Sequence, residues 1–189
     1  MIRHRIETKP AFSVSGVKTW ISGQNNLEFA RFWNACNADG TCEILKAASS
    51  DCRFSVTHSS IMGVSRVEKD PQYRAFHFYI AAEADYIPGF DSFTVKEGTW
   101  AIFEGDGNDP QALIRAEMEA FMNWLPNSEY EHDNRPEIEV YPRGTGIYVE
   151  FWLPVRRKRL SACSFNEEHA YGRVNCAAKS VRLRPYHRI

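Results

Sequence analysis

The sequence has no Cys-x-x-Cys pair, no two histidines at metal-ligand spacing, no apolar leader and no hydrophobic run long enough to span a membrane. Each absence removes a class of function. Five cysteines (Cys36, Cys42, Cys52, Cys163 and Cys176) are an odd number without clustering, which argues against a secreted disulfide framework and a structural zinc site. The start, Met1-Ile2-Arg3-His4-Arg5, leads into polar residues, so a reducing cytoplasm is the expected location. His58, His77 and His132 are scattered, and no G-x-S-x-G, P-loop or G-x-G-x-x-G occurs. No metal or other cofactor is expected. The run Gly105-Asp106-Gly107-Asn108-Asp109 is calcium-like only in composition and reads as a turn.

Aromatic residues, by contrast, are abundant. They make up 13% of the 189 residues, with five Trp and eight Tyr. Rings in that number serve pockets as well as cores. Hydrophobic content of 43% and charged content of 25% are those of one ordinary globular domain, large enough to fold without staples. The net charge of −1 hides an asymmetry. Residues 156–189 hold nine Lys/Arg against two Asp/Glu, whereas residues 1–155 hold 14 against 22. An acidic body attracts cations and repels nucleic acid, so no direct DNA binding is expected.

Alternation from Pro10 to Ile21 predicts a strand. Asn25 or Asn26 caps a predicted helix over Leu27–Ala35, ended by Asn37-Ala38-Asp39-Gly40. Residues 41–60 read as loop plus a short helix, with a strand signal at Phe54–Val56. Strands follow over Ile61–Glu68 and Phe76–Ala84. One strand is predicted over Phe93–Glu104, then a helix from the Asp109-Pro110 cap to Leu125. A hairpin closes the pattern, with strands Glu137–Tyr141 and Ile147–Val155. The order strand–helix–strand–strand thus occurs twice. The expected fold is α+β, a tandem βαββ repeat of SHS2-like type. Its antiparallel sheet would carry the helices on one face and a ligand groove on the other.

The segment Pro136-Glu137-Ile138-Glu139-Val140-Tyr141, followed by Val149-Glu150-Phe151-Trp152-Leu153-Pro154-Val155, resembles the close of the GyrI-like small-molecule-binding domain, the effector-binding domain of AraC-type and MerR-type regulators. Phe12-Ser13-Val14-Ser15-Gly16, Gly98-Thr99-Trp100-Ala101-Ile102-Phe103 and Trp124-Leu125-Pro126-Asn127-Ser128-Glu129-Tyr130 add to the resemblance, and residues 36–60 depart from it. The resemblance implies a domain over residues 1–158, standing alone without a DNA-binding domain. It also implies a central pocket for cationic, often aromatic, multidrug-like compounds. Family members include gyrase-inhibitor-like proteins and hydrolases of DNA-alkylating compounds. Expected partners are therefore a cationic aromatic small molecule and a second copy of the chain, with DNA gyrase or a separate regulator as further ones.

Side chains alternate along a strand, so Tyr148, Glu150 and Trp152 share one face and Val149, Phe151 and Leu153 the other. The apolar set is assigned to the helices and the mixed set to the groove. There Glu150 would neutralise an organic cation and the rings would stack on it. The alternative is a solvated face with Glu150 paired to an Arg or Lys across the sheet. Glu139 and Tyr141 are placed on a shared face beside that strand. Tyr79, with His77, takes the equivalent place in the first half, and Trp100 reads as core or as groove lining. Trp33, Met118, Met122 and Trp124 read as core.

Three functions follow: binding of a cationic, hydrophobic small molecule; hydrolysis of a reactive one with Glu150 as acid or base; and a gyrase-inhibitor-like interaction. The basic extension, 159–189, reads as disorder or a short docking helix. Its Phe165-Asn166 through Asn175-Cys176-Ala177-Ala178-Lys179 and Leu183-Arg184-Pro185-Tyr186 resemble a translated integron cassette recombination site, which implies a dispensable tail.

Overall fold

A computed structural model describes residues 2–23, 27–50, 55–58, 60–66, 75–107, 109, 111–142 and 146–159. The capping Asn25 or Asn26, Phe54 and the extension beyond residue 159 lie outside the described residues.

The chain is α+β. Among the described residues nine strands form one antiparallel sheet: β1 (His4–Lys9), β2 (Phe12–Ile21), β3 (Ile61–Arg66), β4 (Phe76–Glu83), β5 (Asp91–Val95), β6 (Gly98–Gly105), β7 (Tyr130–His132), β8 (Glu137–Tyr141) and β9 (Val149–Arg157). Their order is β1-β6-β9-β8-β3-β4-β2-β5, with β7 also on β9. The two expected halves are visible as β2–α1/α2–β3–β4 and β6–α3–β8–β9, joined where β3 pairs with β8.

Helix α1 (Leu27–Ala38) buries Phe29 and Cys36, and Phe32 and Trp33 pack beside them. These four residues recur at i, i+3, i+4 and i+7, the apolar stripe of a surface helix. Gly40, at φ +82°, ends it, and Asp39 Oδ1 accepts the Thr41 N–H at 2.9 Å to begin α2 (Thr41–Ser50). The segment read as loop is thus partly a helix, and Ser55–His58 forms a turn rather than a strand. In the second half Asp109 Oδ1 accepts the Gln111 N–H at 2.7 Å, the predicted cap. Helix α3 (Gln111–Met118) runs into a π-helical stretch (Glu119–Trp124) and closes with α4 (Leu125–Asn127). Among the described residues no helix is long and apolar enough to cross a membrane.

The single strand expected over Phe93–Glu104 is two strands, β5 and β6, broken at Lys96-Glu97. That break shapes the molecule. Strands β1 and β2 stand six places apart in the sheet, as do β5 and β6, a separation of about 29 Å in a flat sheet. The links Lys9–Phe12 and Val95–Gly98 are three residue steps each and span at most about 11 Å. The sheet therefore curls until its outer strands approach one another.

Curling creates a concave face opposite the helices, and its middle is filled by Phe12, Val14, Met62, Val64, Tyr79, Trp100, Ile102, Ile138 and Trp152. The convex face carries two further cores. Phe103, Phe151, Leu153 and Val155 pack on Ala112, Ala116 and Ala120 of the α3 side, and Ile21, Phe78 and Ile80 pack on Phe29, Cys36 and Leu45 of α1 and α2. Between these two helix-covered cores lies the β3–β8 junction.

A candidate cleft over the β3–β8 junction

Strand β9 alternates as read. Val149, Phe151 and Leu153 face α3, and Glu150 and Trp152 face the concave side. There Glu150 is 5% exposed and both its oxygens are engaged. Arg5 Nη2 donates to Oε1 at 2.9 Å and the Trp152 indole N–H to Oε2 at 2.9 Å. Arg5 also bridges Glu7 and Glu104, at 2.6 and 3.2 Å. Burial works against its charge, but the Glu7 and Glu150 carboxylates outweigh this and hold its pKa above the ordinary value. Glu150 thus takes the alternative of an arginine partner across the sheet, buried rather than solvated. Trp100 lies on the same face, wholly buried, with its ring centroid 6.2 Å from that of Trp152. Tyr79 is also there, edge-on to Phe93 at 4.9 Å.

Glu139 and Tyr141 do share one face of the strand beside β9, but it is the face opposite that of Glu150. The β8–β9 register pairs Ile138 with Trp152, Glu139 with Phe151 and Val140 with Glu150. Directly paired residues point the same way, so Ile138 and Val140 share the concave face while Glu137, Glu139 and Tyr141 share the helix face. Tyr148, expected with Glu150, precedes β9. It turns to the helix side as well, where its ring meets that of Tyr141 at 6.0 Å, edge to face.

The helix side of the junction holds a group of rings around a buried carboxylate. Glu139 is 4% exposed and accepts the Tyr141 hydroxyl on Oε2 at 2.9 Å. Trp33 reaches across from α1 and meets Tyr141 at 5.3 Å, T-shaped. Below them β3 contributes Gly63, paired with Glu139. A methyl group there would stand 2.8 Å from Glu139 Oε2 and 2.7 Å from the Phe78 ring. The glycine is what lets carboxylate and ring meet over the strand. From the other half, Phe121 in the π-helical stretch lies face to face with His132 at 6.3 Å. His132 Nε2 is 3.1 Å from Glu137 Oε1. Glu117, one helical turn before Phe121 and therefore on the same face, is 5% exposed. Trp33, Tyr141, Tyr148, Phe121 and His132 remain partly exposed, so this group can be reached from solvent on the helix side.

Sequence reasoning placed Trp33 in the core and did not single out Gly63, Arg5 or Phe121. The Glu-x-Tyr spacing was the signal within reach, since it sets a carboxylate and a phenol on one strand face. Among the described residues no group of three or more His, Cys, Asp or Glu is arranged to hold a metal ion.

Residues 5–155 match the family model described as the Cass2 integron-associated effector binding protein. The chain belongs to this family. Solved structures agree on the effector-binding fold. SAV2435 bound to tetraphenylphosphonium aligns with a TM-score of 0.68 and 20% identity over 82% of this chain and 94% of that one. The integron cassette protein VCH_CASS2, from the mobile metagenome of Vibrio cholerae, aligns at 0.60 and 17%, over 81% and 95%. The EcmrR C-terminal domain aligns at 0.55 and 11%, over 84% and 99%. No functionally curated protein matches the chain. As a member of the effector-binding family, this domain is a small-molecule binder.

Proposed function

We propose that this effector-binding domain holds a cationic, hydrophobic aromatic molecule in the helix-side cleft, with Glu139 as its counter-charge and Trp33, Tyr141 and Tyr148 as its ring walls. The observation that carries this reading is a carboxylate only 4% exposed beneath partly exposed rings. Each cation–π contact contributes about 0.5–2 kcal/mol, rising as water is excluded. A buried carboxylate adds a charge that a neutral ligand cannot use. At Glu150 a ligand would have to displace Arg5 from a 2.9 Å ion pair and leave the guanidinium without its partner. The similar fold of SAV2435, solved with a lipophilic phosphonium cation, makes tetraphenylphosphonium a rational first probe. In a titration followed by Trp fluorescence, Glu139→Gln is expected to weaken binding at least tenfold while Glu150→Gln retains it. Unchanged affinity in Glu139→Gln would remove the proposal.

A hydrolytic reading is favoured by one contact, the 2.9 Å hydrogen bond from Tyr141 Oη to Glu139 Oε2. Glu139 would take a proton from water as the oxygen attacks an electrophilic carbon of the bound molecule and that carbon's bond to its leaving atom breaks. Glu139 would then return the proton to the leaving atom, with Tyr141 positioning the carboxylate. Multiple turnover of an alkylating ligand, lost in Glu139→Gln, separates this from binding alone.

A further inference from the structure

The concave face carries chemistry that the helix-side cleft does not use. Arg66 of β3, His77 of β4 and Trp20 of β2 are paired in one row across three adjacent strands. The outer two are therefore about 10 Å apart. Trp20 is 48% exposed and stands edge-on to His77 at 4.8 Å. Behind the row, Tyr79 meets Phe93, and the Arg66 guanidinium lies 5.0 Å over the Phe93 ring.

Arg66 is the unusual member. Elsewhere on this face Asp91 is engaged with Lys18 at 3.2 Å, and the carboxylates beside β1 are taken by Arg3, Arg5 and Lys9. The guanidinium has its ring contact and, among the described residues, no ion pair. A half-buried guanidinium against aromatic rings offers a planar fork of donors, partly stripped of water, and such a fork matches an oxyanion. An exposed indole about 10 Å away supplies a stacking partner for a flat ring system.

We propose that this face is a second ligand site, taking a flat aromatic molecule that carries a carboxylate or sulfonate. The oxyanion sits on Arg66, and the ring system lies along His77 and Trp20 beside Phe93. The site is the electrostatic opposite of the cleft and lies across the sheet from it, so the two can be occupied independently.

The test is a calorimetric and fluorescence titration of the full chain with naphthalene-2-sulfonate. Saturable binding at one site is expected, weakened about tenfold or more in Arg66→Gln, partly retained in Arg66→Lys, and weaker at high salt. Trp20→Phe should abolish most of the fluorescence change. Glu139→Gln should leave naphthalene-2-sulfonate binding unchanged while lowering tetraphenylphosphonium binding, so failure of either site is seen separately. No saturable binding by the parent chain, or full affinity in Arg66→Gln, overturns the proposal. If Arg66→Gln does not fold, Arg66→Lys and Trp20→Phe decide: unchanged affinity and signal in both also overturns it.

Discussion

Gly63 and Glu139 face each other as the middle pair of the ladder that joins the two halves of the sheet, and the space left by the missing side chain is occupied by the carboxylate and the Phe78 ring edge. One half supplies the charge and the other supplies the room for it. Gly63→Ala would place a methyl 2.8 Å from Glu139 Oε2. It is expected to cost about 1–3 kcal/mol of stability through overpacking. It should also push the carboxylate out of line and lower tetraphenylphosphonium affinity. Thermal melts and titrations on the same samples check both effects, and a variant with parental stability and affinity would show that the contact is slack.

Trp33 closes the cleft from α1 through an edge contact on Tyr141. Trp33→Ala removes one ring wall and is expected to weaken a cationic aromatic ligand by about 0.5–2 kcal/mol. A neutral analogue of the same shape should lose less. Equal losses for both would mean that Trp33 contributes apolar area alone.

The Arg5–Glu150 pair is expected to serve stability rather than ligand capture. Arg5→Met leaves a carboxylate 5% exposed without its guanidinium. Because the Arg5 side chain is 31% exposed, the cost should fall below that of a fully buried pair, at about 1–3 kcal/mol. The double variant Arg5→Met/Glu150→Gln should recover part of this in urea denaturation, with tetraphenylphosphonium affinity unchanged throughout.

The Glu83 carboxylate holds the turn before β3. It accepts hydrogen bonds from the Ser55 and Thr57 hydroxyls at 2.7 and 2.9 Å, and from the Val56 and Thr57 N–H groups, both at 3.0 Å. His58, at φ +56°, is kept in a conformation that non-glycine residues rarely adopt. Glu83→Gln turns one acceptor into a donor facing donors. It should cost about 2 kcal/mol and speed amide exchange at Val56 and Thr57 selectively.

Cys36 is the clearest source of pH dependence. Burial, with the nearby Cys42 thiol and Asp39 carboxylate, pushes its pKa from the ordinary value of 9.0 up to about 11. The folded state thus keeps a proton that the unfolded chain releases. Its contribution to stability is complete below pH 9 and is lost as pH rises toward about 11. Denaturation midpoints should fall across that window, and Cys36→Ser should flatten the fall. At neutral pH the thiol should resist alkylation until the chain is unfolded.

Much of the fold was legible because its signals are local. Leu27, Ala30, Phe32 and Trp33 read as a helix stripe, although the face that packs is Phe29, Phe32, Trp33 and Cys36, with Leu27 and Ala30 exposed. The Asp109 cap marks a helix start without reference to distant residues. Helix α2 was obscure because Ala47, Ala48, Ser49 and Ser50 give little apolar period, and its anchoring falls to Cys42 and Leu45. Strand β1 escaped notice because Arg5, Glu7 and Lys9 look solvated. Their pairing into a charged rim depends on Glu104 and Glu150, about a hundred residues or more away. In the site, alternation within each strand was readable and the phase between strands was not. Which side of β9 Glu139 shares depends on the register across residues 142–148, and a shift of one residue exchanges the faces.

The curl of the sheet gives the N-terminal segment an unusual importance. Chain ends in most domains can be trimmed or tagged freely, but here residues 4–9 supply the outer stave of the sheet and the guanidinium over Glu150. A deletion that begins the chain at Phe12, where the first long apolar strand suggests a boundary, would strip hydrogen-bond partners from β6 and uncover the Trp152 ring beneath Lys9. Any fusion or minimal version of this domain has to be cut ahead of Arg3.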